Sequence, residues 1–302
     1  MKWVGGIQKA LAKIEQGLDG EIVYSELARE ACCSEYNFMR VFSVLSGYSL
    51  ADYIRCRRLT EAGRELVSTE AKIIDLALKY GYESPESFCR AFQKFHGISP
   101  VQARMGGAML RSVSPLVLKI EIAGGYDMKY RIEKREAQRF VGFGERFSGT
   151  PAERTKQEER FFVHSRLRQY ALMGLNGDCD TQYTLIRNAD SEGYDFCIAV
   201  PFGERLSEKY YQNVARLNPE FEELFEVIDV PEATYAVFET ERGRYPTMEQ
   251  ADLRRRAVSE WLPGSGCQLA AGTEMQVIHW YGGGSGKRDE RYIELWLPVE
   301  EA

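Results

Sequence analysis

The sequence predicts a multidomain chain: an all-α first third built from two helix-turn-helix units, then an α+β remainder of two strand-strand-helix-strand-strand repeats. Two internal repeats and a glycine-marked change of period between them carry this prediction. Leu27-Ala28 leads to Ser34, Phe38, Arg40, Phe42, Gly47 and Ser49, and Leu76-Ala77 leads to Ser84, Phe88, Arg90, Phe92, Gly97 and Ser99. From Ser34 onward the partners lie 50 apart (84 − 34, 97 − 47) but the Leu-Ala pairs lie 49 apart (76 − 27), so the second copy has one more residue in its turn. Repetition of this kind restricts the fold before any single motif does.

Each copy reads as a short helix, a tight turn and a second helix whose apolar positions recur by threes and fours. In the first, Ser34 caps a helix carrying Phe38, Val41, Phe42 and Leu45 inward, and Gly47 ends it. Ser49 then caps a proline-free connecting helix, Leu50 to Val67, with Tyr53, Ile54, Leu59 and Leu66 on its buried side. In the second, Tyr80-Gly81-Tyr82 supplies the turn glycine, Ser84-Pro85 supplies a cap followed by proline at the first helical position, and Gly97 stops the helix.

The outward faces of the two second helices are Tyr36, Asn37, Met39, Arg40 and Ser43, and Glu86, Ser87, Cys89, Arg90 and Gln93. A helix of this type fits the major groove of double-stranded DNA, where Arg pairs with guanine, Asn or Gln with adenine, and an apolar group meets the thymine methyl. An isolated arginine is more often a solvated charge or a phosphate contact. The recurrence of Arg40 and Arg90 at one repeat position favours DNA. Arg55, Arg57, Arg58 and Arg64, on or near the connecting helix, serve equally as phosphate contacts or as a solvated face.

Through YSELAREACCSEYNFMRVFSVLSGYSLADYIRCRRLTEA and IIDLALKYGYESPESFCRAFQKFHGISPVQAR, residues 7–104 resemble the DNA-binding domain of the AraC/XylS family of bacterial transcription regulators. The resemblance implies two helices in successive major grooves, so that a monomer reads an asymmetric operator, with RNA polymerase as a further partner. Pro85-Glu86 stand where some members carry polar amides.

The net charge of −6 divides unevenly. Residues 1–110 carry 14 basic against 13 acidic groups (+1), and the rest 25 against 32 (−7), so the acidity belongs to the second part. Seven cysteines at no metal-ligand spacing imply a reducing cytoplasm and no disulfide framework. The chain shows no signal peptide and no apolar run of membrane-spanning length. Nor does it carry a Ser-His-Asp order, a metal cluster or a phosphate loop, and no cofactor is expected.

The expected domains are residues 1–106, a linker at 107–126 flanked by Gly106-Gly107 and Gly124-Gly125, and residues 127–302. Leu116 to Ile122 alternate like a strand. Beyond them Met128–Lys134 and Gln138–Phe147 read as strands, Ala152–Leu175 as one helix, and Gln182–Arg187 and Tyr194–Val200 as strands. The order recurs as Phe225–Val230, Thr234–Thr240, a helix over Thr247–Trp261, then Met275–Tyr281 and Tyr292–Pro298. The first hairpin has an echo: Glu136-Ala137 and Val141 return as Glu232-Ala233 and Val237, each 96 later (232 − 136, 237 − 141). Two such units predict one sheet with both helices on one face and a concave groove on the other.

Alternation puts His279 and Tyr281 on one face of their strand, and Glu294 and Trp296 on one face of the last. A carboxylate among aromatic rings suits an amphipathic organic cation, although alternating Trp and Tyr are more often core or surface packing than a cage. MKYRIEKREAQRFVGFGERFS, YDFCIAVP, VIDVPEATYAVFE, SEWLPGSG, VIHWY and YIELWLPV are similar to the gyrase-inhibitor-like effector-binding domain of multidrug-sensing and Rob-type regulators, over residues 127–300. That resemblance implies a small-molecule effector, aromatic or cationic, at Glu294 and Trp296, with Phe143, Phe196, Tyr235 and Tyr281 as further lining. His279 stands where relatives often have a second glutamate, which opens the site to neutral or anionic aromatics. Two rival readings are a hydrolase of a toxic electrophile working through Glu294, and a constitutive DNA binder that takes no ligand.

Overall fold

In the computed structural model of the chain, the described residues are 2–118, 128–177, 180–204, 206–217, 219–280 and 287–301. Two compact units emerge: Met1–Phe38 with Tyr48–Ile122, and Met39–Gly47 with Ala123–Ala302.

The helical part runs α1 (Lys2–Gln16), α2 (Tyr24–Glu30), α3 (Glu35–Ser46), α4 (Leu50–Ser68), α5 (Ile73–Lys79), α6 (Pro85–His96) and α7 (Pro100–Arg104). Its boundaries follow the caps read from the sequence. The Ser49 and Ser84 side chains accept backbone N–H groups of Asp52 and Ser87, and Gly97 closes α6 at a left-handed φ of 81°. The two turns solve one geometric problem with different residues. Gly81 has φ 78°, and Cys32, which like it lies five residues after its leucine (32 − 27, 81 − 76), takes φ 55° despite its Cβ. Phe88, Phe92 and Phe95 of α6 pack with Leu59, Leu66, Leu76 and Tyr80 into one core. Arg57 of α4 is not a phosphate contact. It is buried, with Glu15 at 2.8 Å and Glu61 at 2.9 Å on its guanidinium.

The remainder runs β1 (Tyr130–Arg135), β2 (Gln138–Ser148), α8 (Pro151–His164), α9 (Arg166–Asn176), β3 (Thr181–Arg187), β4 (Gly193–Pro201), α10 (Glu208–Leu217), α11 (Pro219–Leu224), β5 (Glu226–Val230), β6 (Ala233–Glu239), α12 (Gln250–Arg256), β7 (Cys267–Leu269), β8 (Glu274–His279) and β9 (Tyr292–Glu301). The single helix expected over Ala152–Leu175 is two, because the backbone at Ser165 leaves the helical region. The one expected over Thr247–Trp261 is a 3₁₀ turn at Pro246–Met248, then α12, then a π turn at Ala257–Trp261. Leu116–Leu118 form no strand, and most of that expected strand lies outside the described residues.

The sheet order, β1-β6-β9-β8-β3-β4-β2-β5, corrects the expected hairpins. β1 does not pair with β2, nor β5 with β6. Each half lends its first strand to the other half, as β1·β6 and β2·β5. β1 and β2 stand six places apart, about 29 Å in a flat sheet at ~4.8 Å per strand. Only Glu136 and Ala137 join them, a reach of about 11 Å. The same holds for β5 and β6 across Pro231 and Glu232. The sheet therefore curls until its two ends approach.

Curling makes an outer and an inner face. On the outer one, Phe143, Phe147, Phe196 and Ile198 pack under Phe161 of α8 and Leu172 of α9, while Phe238 meets Trp261 at 5.1 Å. On the inner one, Phe140, Leu185, Cys197, Ile228, Tyr235, Val237, Met275, Val277 and Trp296 are at most 4% exposed. The expected open groove is thus largely a second core. The sequence echo does not survive either, since Val141 faces outward to the helices and Val237 inward.

Candidate DNA-reading helix and effector site

In α6 the geometry follows from the repeat. With Phe88, Phe92 and Phe95 buried at helical spacing, Glu86, Arg90 and Gln93 stand exposed on the opposite side and Ser87 and Cys89 flank them. Glu86 lies in the first turn and Arg90 one turn on, along one open face. α3 buries Phe38, Val41 and Phe42 in the same way, but its second face is not open. Asn37 is 3% exposed and Arg40 8%, while Tyr36, Met39 and Ser43 are partly covered. Arg40 is ion-paired with Glu274, whose carboxylate also holds Arg254 at 2.8 Å. The expectation that Arg40 presents itself as Arg90 does is therefore corrected. A glutamate only 2% exposed needs cationic partners, and among the described residues Arg40 and Arg254 both meet its Oε2.

The second site forms where strand register brings alternate residues together on the inner face. β9 places Glu294 opposite Val277 of β8 and Glu239 of β6, and Trp296 opposite Met275 and Val237. Trp296 is buried, and its indole N–H donates to Glu294 Oε2 at 3.0 Å. Arg131 of β1 donates to Glu294 Oε1 at 2.8 Å, and the His279 ring nitrogen lies 3.9 Å from Oε2. Burial works to raise the Glu294 pKa, but His279, Arg131 and Trp296 together outweigh it and hold the carboxyl down to about 2. His279 stacks on Tyr292, rings 4.2 Å apart, and the Arg242 guanidinium lies 3.9 Å from the other ring of that pair. Tyr235 meets Trp296 edge to face at 5.8 Å. Its buried hydroxyl has no hydrogen-bond partner among the described residues, and burial raises its pKa.

Of the expected lining, Glu294, Trp296, His279 and Tyr235 come together. Phe143 and Phe196 do not. They lie on the outer face, 5.7 Å from Phe161 in both cases, because their strand positions have the parity that faces the helices. Tyr281 lies outside the described residues. Sequence reasoning missed the partners on β1. Arg131 also touches Glu133 and Glu239, and the Arg135 and Arg131 guanidiniums lie 4.1 and 5.2 Å from the Trp296 ring. Their signal was the alternation of Arg131, Glu133 and Arg135, which on an edge strand reads as a solvated charged row. Nothing in the sequence marked Glu274 as the buried centre of an ion cluster.

The family model of a helix-turn-helix domain matches residues 27–106, and that of the integron-associated effector binding protein matches residues 177–299. The HTH-type transcriptional activator AarP of Providencia stuartii is 36% identical over 99 residues, 33% of this chain and 73% of AarP. The transposon Tn10 TetD protein of Escherichia coli is 38% identical over 94 residues, 31% of this chain and 68% of TetD. A solved structure, that of SAV2435 bound to tetraphenylphosphonium, is 17% identical with a TM-score of 0.40, covering 57% of this chain and 94% of that one. Fold and matches together define a transcriptional regulator that joins a DNA-binding helix-turn-helix domain to an effector-binding domain. The chain belongs to the AraC family of such regulators. No helix among the described residues is long and apolar enough to cross a membrane.

Proposed function

We propose that residues 1–106 read an operator in the bacterial cytoplasm, with the exposed α6 face, Glu86, Ser87, Cys89, Arg90 and Gln93, as the principal reading surface. Tyr36, Met39 and Ser43 of α3, only partly covered, are further candidates for that surface, and residues 127–302 take a small organic effector at Glu294, Trp296, Tyr235 and His279. Effector binding changes how the DNA-binding part engages its operator or RNA polymerase. The observation that carries the effector site is a carboxylate, its side chain 13% exposed, that takes the indole N–H of a buried Trp296 and the Arg131 guanidinium on the inner face of the curled sheet, a setting in which the carboxylate needs a cation beside it.

The geometry favours binding over hydrolysis at this site. A carboxyl held at about 2 is a weak base, far from the range in which general bases work near neutrality. Genomic fragments retained by the full chain identify the operator, and titration of aromatic compounds on that complex identifies the effector. Arg90→Ala is expected to weaken operator binding by about 1–3 kcal/mol at fixed salt. Unchanged affinity for the retained fragments removes α6 from the reading surface. A compound that binds without altering the complex removes the coupling.

A further inference from the structure

Two guanidinium groups already occupy the place a cationic effector would take. Arg135 lies 4.1 Å and Arg131 5.2 Å from the Trp296 ring, at cation-π range, and Arg131 makes the 2.8 Å bond to Glu294. Both come from β1, an edge strand paired only with β6. Neither is sealed in, the Arg131 side chain being 41% and the Arg135 side chain 28% exposed. What they would leave behind is not exposed. Trp296 and Tyr235 are each 1% exposed, and the Tyr235 hydroxyl against Trp296 has no partner among the described residues. Around Trp296, Arg131 and Arg135 meet Glu133, Glu239 and Glu294, and Arg242 also lies 3.7 Å from Glu239, so moving either guanidinium away leaves carboxylate charge that a cation, and not an anion, answers.

We propose that Arg131 and Arg135 are an internal competitor for the effector site: they occupy the Trp296 face and the Glu294 carboxylate, and an effector binds by exchanging them for its own planar cation, an amidinium or guanidinium joined to an aromatic ring. The inference rests on the reading of Glu294 and Trp296 as the effector site. It narrows the expected cation to a planar one and adds the residues that set its threshold. While the arginines hold the site, only the fraction of molecules with β1 side chains swung out is competent, and apparent affinity falls by that fraction. The aromatic part of the ligand takes the place of the guanidiniums over Trp296, and an N–H of its cationic group is in a position to donate to the Tyr235 hydroxyl as well as to Glu294.

The test uses the full chain and benzamidinium as the probe, followed by calorimetry. The Arg131→Ala/Arg135→Ala variant is expected to bind benzamidinium about tenfold or more tightly than the unmodified chain, the scale set by removing a competing cation-π occupant. Free guanidinium should compete in the variant, and adding Glu294→Gln should remove the gain. Affinity unchanged or weaker in the double variant overturns the inference, because the arginines then support the ligand or ignore it. If that variant does not fold, Arg131→Gln/Arg135→Gln, which keeps side-chain length and hydrogen-bond donors, carries the same expectation and the same refutation. The two readings fail separately. A neutral or anionic aromatic whose binding depends on Trp296, with no response to benzamidinium in either protein, sinks the exchange and leaves the site. Benzamidinium binding indifferent to both Glu294→Gln and Trp296→Phe sinks the site itself.

Discussion

On the outer face of the C-terminal sheet, Phe143, Phe147 and Phe196 lie under Phe161 of α8 and Leu172 of α9, whereas on the inner face Phe140, Tyr235 and Trp296 meet side chains of their own sheet. Both faces are largely buried, but they are closed by different means. The outer one is sealed by backbone elements whose removal would strip an entire apolar cluster. The inner one is sealed by curvature and, at the Trp296 end, by the partly exposed side chains of an edge strand. A seal made of side chains opens at the cost of rotamers and a few contacts, and one made of helices opens only by unfolding. That difference puts the polar chemistry on the inner face.

The outer face depends most on Phe161. Its ring lies 5.7 Å from Phe143, 5.8 Å from Phe147 and 5.7 Å from Phe196, so Phe161→Ala leaves a cavity bounded by aromatic rings. The expected loss is about 3–5 kcal/mol, read as a fall in the denaturant midpoint of the C-terminal part. A loss below about 1 kcal/mol would mean that α8 is not a rigid cover.

The inner face responds to pH instead. The Glu294 carboxyl is held at about 2, below an ordinary glutamate near 4.3, so its contribution is fully present above that ordinary value and is lost as pH falls through about 2. The shift corresponds to about 2–3 kcal/mol of stability, an upper figure because Arg131 retains Glu133 and Glu239 when Glu294 is neutral. Glu294→Gln is expected to flatten the stability profile between pH 5 and 2, on the order of the carboxyl's own titration range. A profile that falls just as steeply in the variant assigns the acid response to other carboxylates.

How much of this was legible in the sequence differs between the two parts for physical reasons. The helical part was readable because its signals are local: Ser84, Pro85 and Gly97 each act within one turn, and the phenylalanines of α6 specify a face without reference to distant chain. Arg40 shows the limit, since nothing nearby in sequence announces that Glu274, 234 residues away, is buried and needs its charge. In the sheet, alternation correctly grouped Glu294 with Trp296, a local property of one strand. It could not give parity between strands. Phe143 and Phe196 were equally aromatic and equally periodic, and only the register of β2 with β4 put them under the helices. The exchange of β1 and β5 between halves was invisible for the same reason, because two residues at Glu136-Ala137 fit a hairpin as well as a crossover.

The smallest effect is the most discriminating between the faces. Tyr235 buries its hydroxyl on the inner face without a hydrogen-bond partner among the described residues, and a buried polar group left unsatisfied costs about 1–3 kcal/mol in desolvation. Tyr235→Phe removes that group and keeps the ring that meets Trp296 at 5.8 Å. It is expected to leave stability unchanged or raise it by up to about 1 kcal/mol, where loss of a satisfied hydroxyl would lower it by a similar amount. If the hydroxyl serves the effector, Tyr235→Phe weakens ligand binding while the melting temperature holds or rises, and opposite signs of those two changes distinguish a binding surface from a core. Loss of stability with unchanged ligand affinity would place Tyr235 with the outer-face residues, as packing alone.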